Sequence, residues 1–329
     1  MPRRILAALA VLTLCSIMPA HAWDSNGHKQ IADIAWAQLD APTKAKVRLI
    51  LMAGDPAYRP RQAGDAGTRE AFRRAAIFAD DIKRNHETQY ESMVDPMNRM
   101  WLPQPDPSDR EQERCKTWHY YDTPIRAGAD APQPRPSNAL KALTHAREEL
   151  ALQQHSGDPD RQTQCWWLYW TEHLVADLHQ PLHCASSFGH YATGDAGGNG
   201  FLLGIPDPGR PGKNENLHFY WDSGIGHAVA ADPATASDYA GAPGHQDFED
   251  VTRKWSADAS ARPSATDAHN LDIPAWIAEG ARLADTEVYA VAEDAAPAPE
   301  YDAAQAKLCK RLALLAGARL AEMLKQSLK

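Results

Sequence analysis

Apolar residues recur along most of the chain at the spacing of three and four that is typical of amphipathic helices. In residues 28–39, for example, Ile31, Ile34, Ala35 and Leu39 fall on one side of a helix. This pattern predicts helices over 28–39, 43–52, 70–84, 138–152, 166–180, 216–221, 273–292 and 303–325. Little of the chain alternates with the period of two that strands need, so the predicted fold class is all-α.

The segments between these helices are rich in glycine, proline and polar residues. Loops are predicted over 54–68, 102–114 and 127–136, and a loop or small hairpin over 189–212. Residues 229–270 are expected to mix short helices with loops. Neither an internal repeat nor a flexible linker divides the sequence, and we therefore expect a single domain over residues 23–329.

The first 22 residues have the pattern of an export signal. Arg3 and Arg4 precede an apolar stretch over 5–18, and the tripeptide 20–22 (Ala-His-Ala) fits a signal-peptidase site. Leu14 before Cys15 argues against a lipoprotein site. Cleavage after Ala22 would make Trp23 the first residue of a periplasmic or extracellular protein. No later run predicts a membrane anchor.

Charge and cysteine content narrow the expected partners and compartment. The formal net charge of −9 argues against a broad basic surface for duplex DNA. Four cysteines remain after the signal segment, and in an oxidising compartment they predict two disulfides. The sequence leaves all three connectivities open. These cysteines are Cys115, Cys165, Cys184 and Cys309.

The candidate chemistry is concentrated in the predicted helix over 166–180 and just after it. His173 and Asp177 are four residues apart, which places them on one helix face. Pro181 favours a helix end, so His183 could turn back toward other ligands. His218 and Asp222 repeat the same spacing. One such pair would be read as the polar end of a core helix, but the repetition favours metal binding.

Three further places carry metal-ligand types. A free amino group and the carbonyl of Trp23 could chelate a metal, and the Asn-Gly turn at 26–27 could bring His28 beside them. Asp80 lies in the sequence Phe78-Ala79-Asp80-Asp81, and His119 lies in an aromatic segment. This set exceeds the needs of one ion, and imidazole with carboxylate suits zinc.

The motifs His173-x-x-x-Asp177-x-His179-Gln180-Pro181-Leu182-His183 and Asn216-Leu217-His218-x-x-Trp221-Asp222 resemble those of the zinc-dependent, single-strand-specific nucleases of the S1/P1 type. That family shares an all-helical fold with bacterial zinc phospholipases C. The resemblance runs from Trp23 to Asp222 in the family's order. It implies a monomeric secreted phosphodiesterase that cleaves single-stranded DNA and RNA, and also 3′-nucleotides, to 5′-phosphate products.

The resemblance also implies three zinc ions with assigned ligands. The first ion would take Asp80, His119, His173 and Asp177. The second would take His183, His218 and Asp222, and the third would take the Trp23 amino nitrogen and carbonyl, His28 and the second oxygen of Asp177. His179 belongs to the motif, but the resemblance gives it no metal.

Further roles come from the same resemblance. Asp80 and Lys83 would be catalytic, and Tyr120 and Asp122 would stack on and hydrogen-bond a base beside the scissile bond. Gly198 and Asn199 would contact substrate from a loop near the metals. Two departures are visible, because Phe78 replaces the usual Trp and Lys83 replaces an Arg that could grip phosphate bidentately.

Two other functions compete with this interpretation. A phospholipase C on the same scaffold would act on phospholipid, but it commonly has Glu where this chain has Asp222, and it lacks the Tyr120/Asp122 pair. A non-catalytic zinc-binding protein is the second competitor. Mixed histidine and aspartate sites argue against it, since zinc storage favours simple repeated ligands.

Overall fold

The structure is a computed structural model that describes residues 23–84, 113–128, 131–238 and 247–329. The predicted signal segment 1–22 and most of the predicted loop 102–114 lie outside the described residues. The Lys83 side chain also lies outside them.

Helices form nearly all of the regular structure, which confirms the predicted all-α class. Twelve α-helices occur in the described residues: α1 (Ser25–Gln38), α2 (Ala41–Ala53), α3 (Gly64–Ala75), α4 (Phe78–Arg84), α5 (Ala139–His155), α6 (Arg161–Asp177), α7 (Leu217–Asp222), α8 (Gly224–Ala231), α9 (Phe248–Ala257), α10 (Ala265–His269), α11 (Ile273–Thr286) and α12 (Pro299–Ser327). Short 3₁₀ helices cover Glu113–His119, Pro181–His183, Ala236–Asp238 and Val288–Ala290.

Two small strand pairs complete the secondary structure of the described chain. The strands are β1 (Thr123–Ile125), β2 (Ala185–Ser187), β3 (Leu202–Pro206) and β4 (Asn214–Asn216). β1 and β2 are parallel, with Thr123 opposite Ala185. β3 and β4 form an antiparallel hairpin whose second strand lies beyond the predicted range 189–212. The parallel pair ties the segment after His119 to the segment after His183.

Helix α6 runs through the middle of the molecule. Every residue from Gln164 to Asp177 is buried, so this helix is enclosed on all sides. Its tryptophans 166, 167 and 170 belong to an apolar cluster shared with α2, α3, α4 and α5. A second cluster contains Trp23, Trp221 and Trp255, and the long helix α12 contributes to both. The polar end of α6 lies where the two clusters meet.

Some predicted helix boundaries were wrong for identifiable reasons. The N-cap of α2 is Asp40 and not Thr43, because the Asp40 carboxylate accepts the Thr43 N–H at 2.8 Å. The helix predicted over 70–84 is broken near Ile77 into α3 and α4. Helix α3 begins at Gly64, inside the predicted loop 54–68, and the φ of +85° at its first residue is one that glycine adopts readily.

The prediction of two disulfides was wrong. None of the four cysteines in the described chain forms a disulfide with another. Three thiols instead pack against glycines of other segments. A Cβ added to Gly54 would lie 2.2 Å from Cys165 Sγ, and one added to Gly280 or Gly224 would lie 2.6 Å from the Sγ of Cys184 or Cys309. Each of these cysteines therefore acts as a small buried apolar group in its own niche.

No helix in the described ranges is long and apolar enough to cross a membrane.

Candidate metal centre

Three of the predicted ligands converge behind the parallel strand pair. His183 Nε2 lies 3.2 Å from His218 Nε2, and His218 Nε2 lies 3.4 Å from Asp222 Oδ2. All three side chains are buried, and their ligand atoms lie within 4.8 Å of one another. The spacing of four within α7 puts His218 and Asp222 on one face, and the 3₁₀ turn after α6 brings His183 to them.

The hydrogen bonds of these imidazoles fix their tautomers. His183 Nδ1 lies 2.7 Å from the His119 carbonyl, and His218 Nδ1 lies 2.6 Å from the Gly197 carbonyl. Because a carbonyl only accepts, both Nδ1 atoms must donate, and in the neutral rings both Nε2 atoms carry lone pairs. Two such lone pairs and a carboxylate facing one buried point are the arrangement that a divalent cation stabilises.

A second group surrounds the Asp177 carboxylate. Asp177 Oδ2 lies 3.1 Å from His119 Nδ1 and 3.4 Å from His173 Nε2, while Asp80 Oδ1 lies 3.8 Å from His173 Nε2. His173 Nδ1 donates to the Ala76 carbonyl at 2.8 Å, so its Nε2 also presents a lone pair. The break between α3 and α4 is what exposes this carbonyl to the imidazole.

His28, in helix α1, also belongs to the second group. Its ring stacks on His173 with centroids 3.9 Å apart and an interplanar angle of 7°. His28 Nε2 lies 3.4 Å from Asp177 Oδ1, so the two oxygens of Asp177 face different imidazoles. This geometry suits a carboxylate that bridges two ions. His28, Asp80 and His173 also form a ligand-spaced group of their own.

Hydrogen bonds from Trp23 and Asp24 hold the segment before α1 against both groups of candidate ligands. The Trp23 indole N–H donates to the Ala176 carbonyl at 3.0 Å, one residue before Asp177. The Asp24 backbone N–H donates to the carbonyl of Asp222 at 2.9 Å. The backbone of Trp23 is therefore held beside ligands from both groups, and its side chain is buried.

Neighbouring groups control the orientation and charge of Asp222. Gln180 Nε2 donates to Asp222 Oδ1 at 2.8 Å, which leaves Oδ2 directed at His218. Burial raises the pKa of the Asp222 carboxyl well above its ordinary value, and nearby carboxylates add to this effect. A bound dication would offset both causes and keep the carboxylate ionised.

His179 has no ring nitrogen left for a metal. Its Nδ1 donates to the Val175 carbonyl at 2.7 Å, and its Nε2 accepts from Arg319 at 2.9 Å. Because a guanidinium only donates, Nε2 must be the acceptor. That the second histidine of the motif binds no ion stays a prediction, and these two hydrogen bonds are compatible with it.

The predicted substrate residues lie along the edge of these groups. Tyr120 and Asp122 are half-buried in the extended segment between His119 and β1. Asn199 is half-buried, and its side-chain amide donates to the Ala196 carbonyl at 2.8 Å. The Gly198 carbonyl accepts the His218 backbone N–H, so this glycine approaches a metal-ligand candidate directly. Lys83 is in α4, three residues beyond Asp80.

Four residues that contact the candidate ligands or their neighbouring segments have no role that the sequence predicts. Gln180 lies in the quoted motif, and Asp195 lies in the glycine-rich segment predicted as a loop or small hairpin. Tyr289 and Arg319 lie beyond Asp222, where the chain shows no recognisable motif. Tyr289 contacts Asp195 across 94 residues of sequence, and Arg319 contacts His179 across 140.

Comparison with known proteins agrees with this geometry. A family model described as S1/P1 Nuclease matches residues 23–329. No protein in the curated set searched matches the chain.

Proposed function

The chain belongs to the S1/P1 nuclease family and is therefore a nuclease, a hydrolase acting on nucleic acids; we propose that it is an exported, zinc-dependent enzyme specific for single strands. Its substrates would be single-stranded DNA, RNA and 3′-nucleotides, and its products would carry 5′-phosphates. We propose a monomer with three zinc ions.

The observation that carries this proposal is the facing pair of imidazoles His183 and His218. Their Nε2 atoms lie 3.2 Å apart although both rings already donate through Nδ1. Two neutral acceptors at this distance repel each other unless a cation or a proton lies between them. Asp222 Oδ2 completes a set of nitrogen and oxygen ligands that suits zinc.

Nine residues would hold the three ions: Trp23, His28, Asp80, His119, His173, Asp177, His183, His218 and Asp222. The two oxygens of Asp177 support a bridging role, since Oδ1 faces His28 and Oδ2 faces His119. Zinc ions bound here would lower the pKa of water and neutralise charge on the phosphate and leaving oxygen.

The protein's own side chains would supply orientation and proton transfer. Asp80 is buried, and its Oδ1 lies 3.8 Å from His173 Nε2 in the stacked pair His28–His173. We propose that Asp80 accepts the proton of the attacking water. Lys83 would contribute positive charge to a phosphate oxygen. Tyr120 would stack on a base beside the scissile bond while Asp122 accepts a hydrogen bond from it, and Gly198 and Asn199 would contact the strand from the opposite loop. A stacked base must be unpaired, which gives single-strand preference a physical cause.

The proposed export of the protein would create the metal chelate that the amino nitrogen and carbonyl of Trp23 form. Removal of residues 1–22 would give Trp23 a free amino group, and the family match also begins at Trp23. The bonds from Trp23 and Asp24 to Ala176 and Asp222 would hold this amino group near the ligands.

Purified protein beginning at Trp23 tests the proposal. Denatured DNA, duplex DNA, RNA and phosphatidylcholine are offered with and without a chelator, and zinc is counted by atomic absorption. We expect chelator-sensitive cleavage of single strands, a strong preference over duplex, and three zinc ions per chain. The variant Asp222→Asn should lose most activity, whereas His269→Ala, an exposed control, should keep it.

Two results would contradict the proposal. Turnover of phosphatidylcholine alone would indicate a phospholipase C, and zinc binding without any turnover would indicate a binding protein. Equal zinc content and activity in protein with extra residues before Trp23 would contradict the N-terminal chelate only.

A further inference from the structure

A glycine-rich loop, residues 194–200, holds His218 in place. The Gly197 carbonyl accepts the Nδ1–H of His218 at 2.6 Å, and the Gly198 carbonyl accepts its backbone N–H at 3.3 Å. The ring orientation of a metal-ligating histidine depends on the partner of its other nitrogen. The position of this loop therefore decides where His218 Nε2 points.

The loop backbone is in a conformation that needs external support. Gly194, Gly197 and Gly198 have φ values of +79°, +63° and +82°, and Ala196, which has a Cβ, has φ +52°. A Cβ at Gly197 would lie 2.5 Å from the Leu182 carbonyl oxygen, so the loop is wedged against the segment that carries His183. Left-handed backbone at a non-glycine residue persists only where the surroundings impose it.

Asp195 is the anchor of this loop. Its Oδ1 accepts the Ser187 backbone N–H at 2.9 Å and the Ser186 hydroxyl at 3.3 Å, and its Oδ2 accepts the Tyr289 hydroxyl at 2.5 Å. The Asp195 backbone N–H also donates to the Ser187 carbonyl. The carboxylate is buried, at 2% exposure, and these bonds fasten the loop to β2.

Tyr289 is itself fixed from several sides. It lies in the 3₁₀ turn Val288–Ala290 after α11 and is buried. The Arg126 guanidinium lies 5.0 Å from its ring centroid, and Phe201 contacts the ring edge-on at 5.6 Å. Arg126 is held in turn by Asp285 at 2.8 Å. The Tyr289 hydroxyl thus presents a rigid donor to the loop anchor.

We propose that Asp195 and Tyr289 are positioning residues for the metal group His183, His218 and Asp222. They act through the loop, because they hold the Gly197 carbonyl where it orients the His218 imidazole. The inference rests on the proposed zinc-dependent function, and it extends the site to residues beyond Asp222. It also explains why a buried Tyr–Asp bond occurs beside a loop with an unfavourable backbone.

The test uses Tyr289→Phe, which removes only the hydroxyl, together with Asp195→Asn and the double variant. The matched control is Tyr220→Phe. Tyr220 is also buried, and its hydroxyl donates to a carboxylate, that of Asp302, which lies outside the loop 194–200. It lies between His218 and Asp222 in sequence, so it reports any general loosening of α7.

Zinc affinity is measured by chelator competition, and the site is probed by the visible spectrum of the cobalt-substituted protein. We expect Tyr289→Phe and Asp195→Asn each to lower the affinity for one of the zinc ions about 10- to 100-fold. The double variant should be little worse than either, since both changes break one connection. In both single variants the cobalt spectrum should change, and kcat should fall while KM stays nearly constant. Tyr220→Phe should match the wild type in zinc affinity, cobalt spectrum and kinetic constants.

A wild-type cobalt spectrum and zinc affinity in Tyr289→Phe would overturn the inference, as would an equal loss in Tyr220→Phe. If the wild-type protein itself binds no zinc, the proposed function fails and this inference fails with it. If the wild type binds zinc and cleaves single strands, and Tyr289→Phe has the same zinc affinity, cobalt spectrum and kcat, only the inference fails.

Discussion

His179 accepts a hydrogen bond from the Arg319 guanidinium over 2.9 Å in a region closed to solvent. The bond joins the end of α6, which carries the candidate ligands, to the last helix. Arg319 also donates to the Asp267 carbonyl at 3.0 Å and lies over the Trp276 ring. A motif histidine with both ring nitrogens in hydrogen bonds thus connects the end of α6 to the C-terminal third of the chain.

This bond predicts an acid sensitivity of the metal-free protein. Burial, together with the Arg319 charge, lowers the pKa of His179 to about 3. The unfolded chain binds a proton at this residue below about pH 6.5, whereas the folded protein does not, so stability falls as the pH drops from about 6.5 toward 3. In urea unfolding, His179 should lower the free energy of unfolding by about 2 kcal/mol when the pH falls from 7 to 5.

The variant His179→Gln provides the comparison, since its amide oxygen can accept from Arg319 without titrating. Its stability should change about 2 kcal/mol less than that of the wild type over the same interval. Parallel pH profiles for the two proteins would refute the prediction.

A buried ion cluster predicts a second stability effect. Asp33 is fully buried and accepts from Arg69 at 2.6 and 2.7 Å, from Arg73 at 2.7 Å and from Thr252 at 2.7 Å. Asp33→Ala removes the buried acceptor that Arg69 and Arg73 share and leaves them only the exposed Glu249 carboxylate. The loss should be about 3 kcal/mol in urea unfolding. Arg253→Ala, which removes an exposed partner of Asp250, should cost under about 1 kcal/mol. Similar losses in the two variants would contradict this interpretation.

The contact between Gly224 and Cys309 predicts a compensating pair of substitutions. Gly224→Ala places a methyl group 2.6 Å from Cys309 Sγ and should destabilise the protein by about 1–3 kcal/mol. Adding Cys309→Ala removes the sulfur and should recover most of that loss. Calorimetry on the two single variants and the double variant measures the coupling, and strictly additive losses would argue against it.

The buried thiols predict slow chemical modification. Burial raises the pKa of Cys165 to about 12, and it also raises those of Cys184 and Cys309. Because the thiolate is the reactive form, Ellman's reagent should not label these residues in the native protein. All three should react after unfolding in guanidinium without any reductant. Labelling that requires a reductant would restore the disulfide prediction.

The base-stacking role assigned to Tyr120 predicts an effect on substrate binding. Tyr120→Leu should lower kcat/KM on short single strands about 10- to 100-fold, because stacking contributes about 1–3 kcal/mol per base. Its zinc content should be unchanged. Tyr121→Phe is the control, since Tyr121 packs against the apolar core and should keep wild-type kinetics. An unchanged kcat/KM in Tyr120→Leu would remove the stacking role.

The sequence was informative where a local pattern carries the chemistry. The spacing of four within α6 and α7 brought His173 to Asp177 and His218 to Asp222 as expected, because helix geometry alone determines that proximity. Pro181 likewise marked the turn that leads to His183. Helix periodicity was sufficient to predict the all-α class.

Contacts made by backbone groups could not be predicted in this way. The carbonyls of Ala76, His119 and Gly197 fix the three imidazole tautomers, yet any side chain at those positions could supply the same oxygen. The break between α3 and α4 also left no periodic signal. The cysteine count led to a wrong prediction because an even number of cysteines does not determine whether the fold brings pairs of thiols within bonding distance.

The niches that glycines provide for the thiols also affect how the protein reaches its native state. Cys165, Cys184 and Cys309 fill space against Gly54, Gly280 and Gly224, so their packing is complete while they are reduced. Folding then requires no oxidant and no isomerase to sort cysteine pairs. The same structure should therefore form in a reducing cytoplasm and in an oxidising compartment.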